Sequence, residues 1–269
     1  MGNSSLQSAV RDWLDLNDRR IFEDASLRSR VAPFPPPELM QAVSATDNEQ
    51  HFAMHGTHIF EAISKSSPKS LSEFASILDF GCGCGRLGRM FLGHPSKIVG
   101  CDIDTRHVEW INANLTHMSA VKSEPNKPLP FDDGSFDAII SVSVFSHITE
   151  VSQEFYLTEL SRIAKQGAYL FLSTHGETAF RKVRTSERMF SLVGIPAEAL
   201  PDASSRMDGG QYAFIRQGAG HPTESDYDYG ITFIPTTYVL DKWNRHFEIV
   251  EIVPGAIHDW QDIVVCRKR

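Results

Sequence analysis

ILDFGCGCGR, residues 77–86, is the segment of this 269-residue chain that indicates its fold most clearly. A short apolar run leads into glycines at alternate positions and then into a helix candidate over residues 86–92. Glycine lets the backbone turn tightly and lets a ligand approach where a side chain would block it. The pattern therefore predicts a buried strand that ends in a ligand-binding loop.

The spacing of this loop narrows the class of ligand. A nicotinamide-cofactor loop, G-x-G-x-x-G, has its third glycine where this chain has Arg86, which counts against a nicotinamide-dependent oxidoreductase. A Walker-type loop is excluded because no Gly-Lys-Ser/Thr follows. Asp79 precedes the first glycine by two residues, and a carboxylate there suits a ligand with an ammonium group better than one with a pyrophosphate.

A second apolar run, residues 97–101, ends in the acidic segment Gly100-Cys101-Asp102-Ile103-Asp104. An acid at the tip of the second strand is placed to accept hydrogen bonds from the ribose hydroxyls of a nucleoside. We therefore expect Asp102 to bind ribose and Asp104 to cap the helix that begins near Thr105.

The remaining apolar runs complete a sheet. Runs at 136–140 and 168–172 alternate with helix candidates at 105–118 and 151–164, a rhythm typical of a parallel sheet that is covered on both faces. Two closing strands, 247–253 and 262–266, suggest a hairpin-like antiparallel edge. The predicted fold class is α/β, a Rossmann-like, doubly wound and mostly parallel sheet with an antiparallel C-terminal edge strand.

Changes in the sequence pattern along the chain predict a division into four segments. Residues 1–70 read as a helical cover, with a proline-rich segment at 33–37 and a helix through Ile63 that a capping box from Thr46 to Glu49 would open. Residues 71–174 hold the predicted core, and residues 236–269 a helix and the closing strand pair. Residues 175–235 break the rhythm, and so long an insertion after a strand is typical of a substrate cap.

Four sequence blocks in order resemble the class I S-adenosylmethionine-dependent methyltransferases. They are ILDFGCGCGR (77–86), IVGCDID (98–104), LPFDDGSFDAIISVSVFSHI (129–148) and ELSRIAKQGAYLFLSTHG (159–176). The third block is similar to the small-molecule branch. The wording SVFSH, with the later YGITF and WQDIVV pieces, resembles methyltransferases associated with glycan synthesis.

The resemblance implies a seven-stranded sheet and S-adenosylmethionine as the cofactor. The Gly-Asp pair that commonly precedes the third block is replaced here by residues 123–128, so that Asn126 and Glu124 are the candidates for the adenine partner. The cofactor-binding residues carried over or inferred are Asp79, Gly81, Cys82, Gly83, Gly85, Asp102, Ile103, Asn126, Ser141 and Val144.

Methyl transfer to an oxygen of high pKa gains from a general base. His147 is the first candidate, because it follows the strand at 136–140, at the edge where open α/β sheets bind ligands. A packing or helix-capping histidine is the alternative interpretation. His175 follows the next strand and is the second candidate, and His258 is the third. Residues 51–60 of the N-terminal helix either close over the cofactor or simply pack on the sheet.

Composition limits the partners and the setting. A formal net charge of −8 argues against a general nucleic-acid-binding surface, and no apolar stretch approaches the length of a membrane span. The four cysteines follow neither a disulfide nor a zinc pattern, so a reducing cytoplasm is expected. No metal site is expected, because no compact set of histidines and carboxylates lies near the strand at 136–140.

Two functions follow from these observations. The first is S-adenosylmethionine-dependent methylation of a small molecule or a sugar hydroxyl, with O-methylation favoured. The alternative is a catalytically silent cofactor-binding partner or sensor. The cap would suit a sugar, a phosphorylated glycan or an aromatic acceptor alike, because it combines arginines at 181, 184 and 216 with the aromatic residues Phe180, Tyr212, Phe214, Tyr227, Tyr229 and Phe233.

Overall fold

A computed structural model describes residues 2–217 and 228–269 of the chain. Tyr227, one of the predicted cap aromatics, lies outside the described residues. The strands are β1 (Ser76–Phe80), β2 (Lys97–Asp102), β3 (Met118–Lys122), β4 (Phe136–Ser141), β5 (Ala164–Thr174), β6 (Ala213–Arg216), β7 (Gly230–Phe233), β8 (Glu248–Ile257) and β9 (Gln261–Arg267).

Along the chain, the α-helices lie before the first strand, between strands of the main sheet, in the insertion, and before the last two strands. They are α1 (Gly2–Asp15), α2 (Ile21–Glu23), α3 (Pro37–Ser44), α4 (Glu49–Ser66), α5 (Thr105–Asn114), α6 (Glu150–Ile163), α7 (Glu177–Thr185), α8 (Glu187–Val193), α9 (Leu200–Asp208) and α10 (Thr236–Lys242). Short 3₁₀ or π turns lie between them at Leu16–Arg20, Ala25–Arg30, Leu71–Glu73, Gly88–Phe91, Ala197–Ala199 and Trp243–Arg245.

Seven strands form the main sheet in the order β3-β2-β1-β4-β5-β9-β8. The pairs from β3 to β5 are all parallel, whereas the C-terminal strand β9 runs antiparallel to both β5 and β8. The predicted α/β fold class is therefore confirmed. The patterns did not indicate β3, whose residues alternate between buried and more exposed positions at the end of the sheet.

Apolar side chains cover both faces of the sheet. Ile77 packs in the cluster that includes Ile59 and Phe60 of α4, whereas its neighbour Leu78 packs in the cluster that includes Leu157 of α6 and Val239 of α10. Successive strand residues point to opposite faces, so that a central strand with apolar residues on both faces becomes buried throughout. This explains why the central strands read as continuous apolar runs.

Several predicted helix boundaries were wrong. The helix expected over 105–118 ends at Asn114, and β3 begins at Met118. The helix expected over 86–92 is only the 3₁₀ turn Gly88–Phe91, because glycines at 85 and 88 each make a helical conformation about 1 kcal/mol less favourable than alanine would. Helix α4 is capped by Asn48, whose side chain accepts the backbone N–H of His51, and not by Thr46.

The inserted segment forms a separate layer. Helices α7 and α9 pack with the two-stranded sheet β6–β7 around their own apolar cluster, which contains Phe180, Met207 and Phe233. The division of the chain at residues 70, 174 and 235 stays a prediction. Across residues 2–217 and 228–269, no helix is long and apolar enough to cross a membrane.

Candidate cofactor and methyl-acceptor site

A pocket opens at the carboxyl ends of β1, β2 and β4, the edge where the topology predicts a ligand site. Its lining joins the glycine loop to the ends of these strands. Of the predicted cofactor-binding residues, the lining contains Asp79, Gly81, Cys82, Gly83, Asp102, Ile103, Asn126 and Val144.

The glycine loop needs its glycines for two physical reasons. Gly81 and Gly83 have φ angles of 74° and 52°, in the left-handed region that side chains disfavour. A Cβ atom on Gly81 would also lie 2.2 Å from Cγ2 of Val144, and one on Gly83 would lie 2.6 Å from Cγ1 of Val43. Gly85 lies outside the pocket lining, but its φ angle of 79° is also left-handed, and a Cβ there would lie 2.8 Å from Cδ1 of Leu115.

Asp79 is a buried carboxylate in the wall of the pocket. Its Oδ2 atom has no hydrogen-bond partner among the described residues. Burial, followed by the negative charge of Asp102, raises the pKa of Asp79 to about 7, although Arg86 opposes both effects. A buried, unpaired acceptor is costly, and a ligand cation removes that cost. The residue therefore fits the ammonium group of an amino-acid moiety such as that of S-adenosylmethionine.

Asp102 is held rigidly at the tip of β2. Its Oδ2 atom accepts the backbone N–H of Gly83 at 2.7 Å, and its Oδ1 atom accepts that of Asp104 at 2.9 Å. A carboxylate has about four acceptor positions, so these two bonds leave capacity for the hydroxyls of a ribose. Asp104 caps α5 by accepting the backbone N–H of Arg106, as the sequence predicts.

The adenine end of the pocket is the part where the sequence left two candidates. Asn126 lines the pocket in a left-handed conformation with a φ of 53°, and its backbone N–H donates to the hydroxyl of Tyr156 at 3.1 Å. Glu124 is instead paired with Lys127 at an exposed position and is not part of the lining. The geometry therefore favours Asn126 over Glu124.

Ser141 does not occupy the place predicted for it. It is fully buried as the last residue of β4, and the next three residues, 142–144, line the pocket in its place. The strand continues one residue further than a ligand-facing Ser141 would require, which buries its side chain within the sheet.

His147 lies in the pocket lining with a defined ring orientation. Its Nδ1 atom lies 2.8 Å from the carbonyl oxygen of Gly230, and its ring stacks on Tyr229 with centroids 4.8 Å apart and planes 9° apart. A carbonyl oxygen can only accept, so Nδ1 carries the hydrogen and the lone pair of the neutral imidazole lies on Nε2. This is the tautomer that a proton acceptor needs.

His175 does not fit the role predicted for it. It is buried against Phe233 and Trp260 outside the pocket lining, 5.9 Å from His147 between ring centroids. Burial, followed by the proximity of His147, lowers the pKa of His175 to about 3, which makes it a weak base. Its place directly after β5 was correct, but the inserted layer covers that end of the strand.

His258 lies away from the pocket lining, in a group with His51, His55 and His58 of α4. Burial and neighbouring cations lower the pKa of His258 to about 4 and that of His55 to about 3. Helix α4 contributes only Ile59 to the lining, so the histidines of α4 do not close over the pocket.

The N-terminal cover reaches the pocket through α3 instead. Val43 lines the pocket opposite Gly83, and Arg86 donates to the Val43 carbonyl at 3.2 Å and to Ser44 Oγ at 3.0 Å. The buried Arg89 donates to the carbonyls of Pro33 and Ala32. Val43, Ser143 and Tyr156 also line the pocket, and the sequence patterns did not indicate them. Of these three, only Ser143 could have been expected there, because it lies close to the end of a strand.

Comparison with known proteins agrees with this geometry. Residues 77–167 match the family described as "Methyltransferase domain". A curated relative, phthiotriol/phenolphthiotriol dimycocerosates methyltransferase 1 of Mycobacterium ulcerans (strain Agy99), is 28% identical over 181 residues, 63% of this chain and 61% of its own length. The malonyl-[acyl-carrier protein] O-methyltransferase of Geobacter sulfurreducens is 30% identical over 121 residues, 43% of this chain and 44% of its own.

The aligned regions thus span less than two thirds of both curated relatives. Among solved structures, the PH0226 protein of Pyrococcus horikoshii OT3 shares the fold with a TM-score of 0.59 at 15% identity, over 82% of this chain and 93% of that one. The resemblance to glycan-associated methyltransferases stays a prediction. Residues 77–167 are thus similar to a methyltransferase domain, in agreement with the predicted family and with S-adenosylmethionine as its cofactor.

Proposed function

We propose that this chain transfers the methyl group of S-adenosylmethionine to a hydroxyl oxygen of a small molecule or a sugar, with His147 as the general base. The observation that carries the proposal is the contact between His147 Nδ1 and the Gly230 carbonyl, which sets the tautomer and orientation of an imidazole in the pocket lining. One curated relative is named as an O-methyltransferase, which supports an oxygen acceptor.

Different residues of the pocket would bind different parts of the cofactor. Asp79 and Asp102 would hold the ammonium group and the ribose of the cofactor, and Asn126 would lie beside the adenine. When bound, the cofactor supplies an electrophilic methyl group on a positively charged sulfur. The protein therefore contributes mainly by positioning the acceptor in line with that group and by excluding water.

His147 would act on the acceptor. Its Nε2 atom would take up the hydroxyl proton of the acceptor as the acceptor oxygen becomes methylated. The hydrogen bond from Nδ1 to the Gly230 carbonyl is retained throughout and stabilises the protonated ring. Tyr229 fixes the ring plane by stacking.

Two further features support the proposed setting. All four cysteines, at positions 82, 84, 101 and 266, are free and buried, which suits a reducing compartment such as the cytoplasm. The apolar and aromatic lining near His147, which includes Ile148 and Tyr229, suits a small organic acceptor better than an extended nucleic acid.

The test combines binding with turnover. Isothermal titration with S-adenosylhomocysteine measures cofactor binding, and transfer of a tritium-labelled methyl group to catechol or to methyl α-D-glucopyranoside measures activity toward aromatic and sugar hydroxyls. We expect binding together with transfer to one of the two probes. Binding without transfer to either would favour the silent cofactor-binding protein, and absence of binding would contradict both functions.

A further inference from the structure

Ser143 follows the end of β4 and lines the pocket with a strained backbone. Its φ angle is 60°, in the left-handed region where a residue with a side chain is uncommon. Such strain persists only where the surroundings impose it, and it clusters at functional sites. Glycine would adopt this conformation without strain. We therefore infer that the hydroxyl group of the serine has a function.

A closed ring of hydrogen bonds holds this serine. The backbone N–H of Ser143 donates to Ser173 Oγ at 2.8 Å, and the Ser173 hydroxyl donates to Gln261 Oε1 at 2.6 Å. The Gln261 Nε2 group then donates to Ser143 Oγ at 2.8 Å. The ring joins the end of β4 to β5 and β9, and it fixes Ser143 Oγ in place.

The direction of these bonds determines what Ser143 has left to offer. Its Oγ atom already accepts from Gln261, so its hydroxyl hydrogen is a donor that has no acceptor within the ring. His147, four residues further on, lines the same pocket. Ser143 and His147 thus place polar groups on the side of the pocket that follows β4, whereas the carboxylates Asp79 and Asp102 lie on β1 and β2.

We propose that Ser143 is a positioning residue that donates a hydrogen bond to an oxygen of the methyl acceptor, and that Gln261 and Ser173 preset this hydroxyl. The inference rests on the proposed function, because it assigns the acceptor to the same side of the pocket as His147. It assigns a substrate with an oxygen that can accept from Ser143 while a hydroxyl proton is given to His147.

The experiment measures kcat and KM for whichever probe hydroxyl the wild type methylates, together with the Kd of S-adenosylhomocysteine. Ser143→Ala should raise the acceptor KM on the order of tenfold and leave the Kd within about twofold, since one hydrogen bond is lost on the acceptor side only. Ser146→Ala is the matched control, because it removes a buried hydroxyl outside the pocket lining and should change neither constant.

Gln261→Glu tests the role of the ring. A carboxylate at this position can only accept, so the Ser143 hydroxyl would turn toward it and away from the pocket. The acceptor KM should therefore rise as in Ser143→Ala, although Ser143 itself is intact. Ser143→Gly also removes the hydroxyl and should raise the acceptor KM as Ser143→Ala does, which a purely structural serine would not do.

Three results would overturn the inference. An unchanged KM in Ser143→Ala would show that the hydroxyl does not contact the acceptor, and a tenfold weaker Kd would place it on the cofactor instead. If the wild type binds S-adenosylhomocysteine but methylates neither probe, the proposed function fails, and the assignment of Ser143 fails with it.

Discussion

The imidazole Nδ1 of His147 lies 2.8 Å from the carbonyl oxygen of Gly230, 83 residues further along the chain. The carbonyl belongs to β7 of the inserted layer, whereas His147 follows β4 of the main sheet. The backbone N–H of Gly230 also donates to the carbonyl of His147 at 3.1 Å. The inserted layer is therefore joined to the candidate base by two hydrogen bonds, and it sets the tautomer of that base.

Replacing His147 by glutamine should lower kcat by about 10²–10⁴-fold, the usual contribution of a general base, and leave S-adenosylhomocysteine binding within a few-fold of the wild type. The measurement is methyl transfer to the active probe beside isothermal titration. His246→Gln is the control, since that ring pairs with Glu154 away from the pocket and its loss should leave kcat unchanged. Equal rates in wild type and His147→Gln would remove His147 from the reaction.

Replacing Tyr229 by alanine should lower kcat about 3–10-fold, because the stacking that fixes the His147 ring is lost and an aromatic pair contributes about 0.5–1.5 kcal/mol. Tyr229→Phe keeps the stack and should retain most of the rate. Steady-state kinetics with saturating cofactor distinguishes the two variants. A loss in Tyr229→Phe as large as that in Tyr229→Ala would assign the effect to the phenol hydroxyl instead of the stack.

Asp79→Asn should separate stability from cofactor binding. Because burial raises the pKa of Asp79 from 3.8 to about 7, the folded state binds a proton more tightly than the unfolded chain, and stability falls as the pH rises from about 4 to 7. Removing the charge should therefore raise the free energy of unfolding by up to a few kcal/mol above pH 7 and change it little near pH 4. Urea unfolding at pH 4.5 and pH 8 measures this difference, and equal changes at the two values would contradict it.

Cofactor affinity should depend on the same proton. The ammonium group of the ligand pairs with the ionised carboxylate, so S-adenosylhomocysteine should bind more tightly as the pH rises from 6 to 8 through the pKa of Asp79 near 7. Isothermal titration across this range should show the trend in the wild type, and Asp79→Asn should show weaker, pH-independent binding. A flat wild-type profile would mean that the ligand does not use this carboxylate.

Arg89→Met should destabilise the protein by about 2–4 kcal/mol, because the buried guanidinium donates to the carbonyls of Pro33 and Ala32 and lies 3.7 Å from the ring centroid of Phe34. The carbonyls of Pro33 and Ala32 would lose this partner, and that of Ala32 lies at a buried residue. Chemical denaturation measures the loss, with Arg184→Met as an exposed control that should stay within about 0.5 kcal/mol. An equal effect of the two substitutions would contradict this anchoring role.

Local sequence patterns predicted the central strands of the sheet and the side of the pocket formed by the glycine loop. Asp79, Gly81, Gly83 and Asp102 act through local backbone geometry, since each lies at a strand end or in the loop that follows it, and chain order places parallel strand ends at one edge. The spacing of a few residues therefore carries the information that the site requires.

Which residues line the side of the pocket near His147 depends on the tertiary structure. His147 and His175 follow neighbouring strands and look equivalent in sequence, but the inserted layer buries one and orients the other through Gly230. The ring of Ser143, Ser173 and Gln261 joins residues up to 118 positions apart. Burial and long-range hydrogen bonding depend on which distant segments pack together. The spacing of neighbouring residues in the sequence does not show which segments these are.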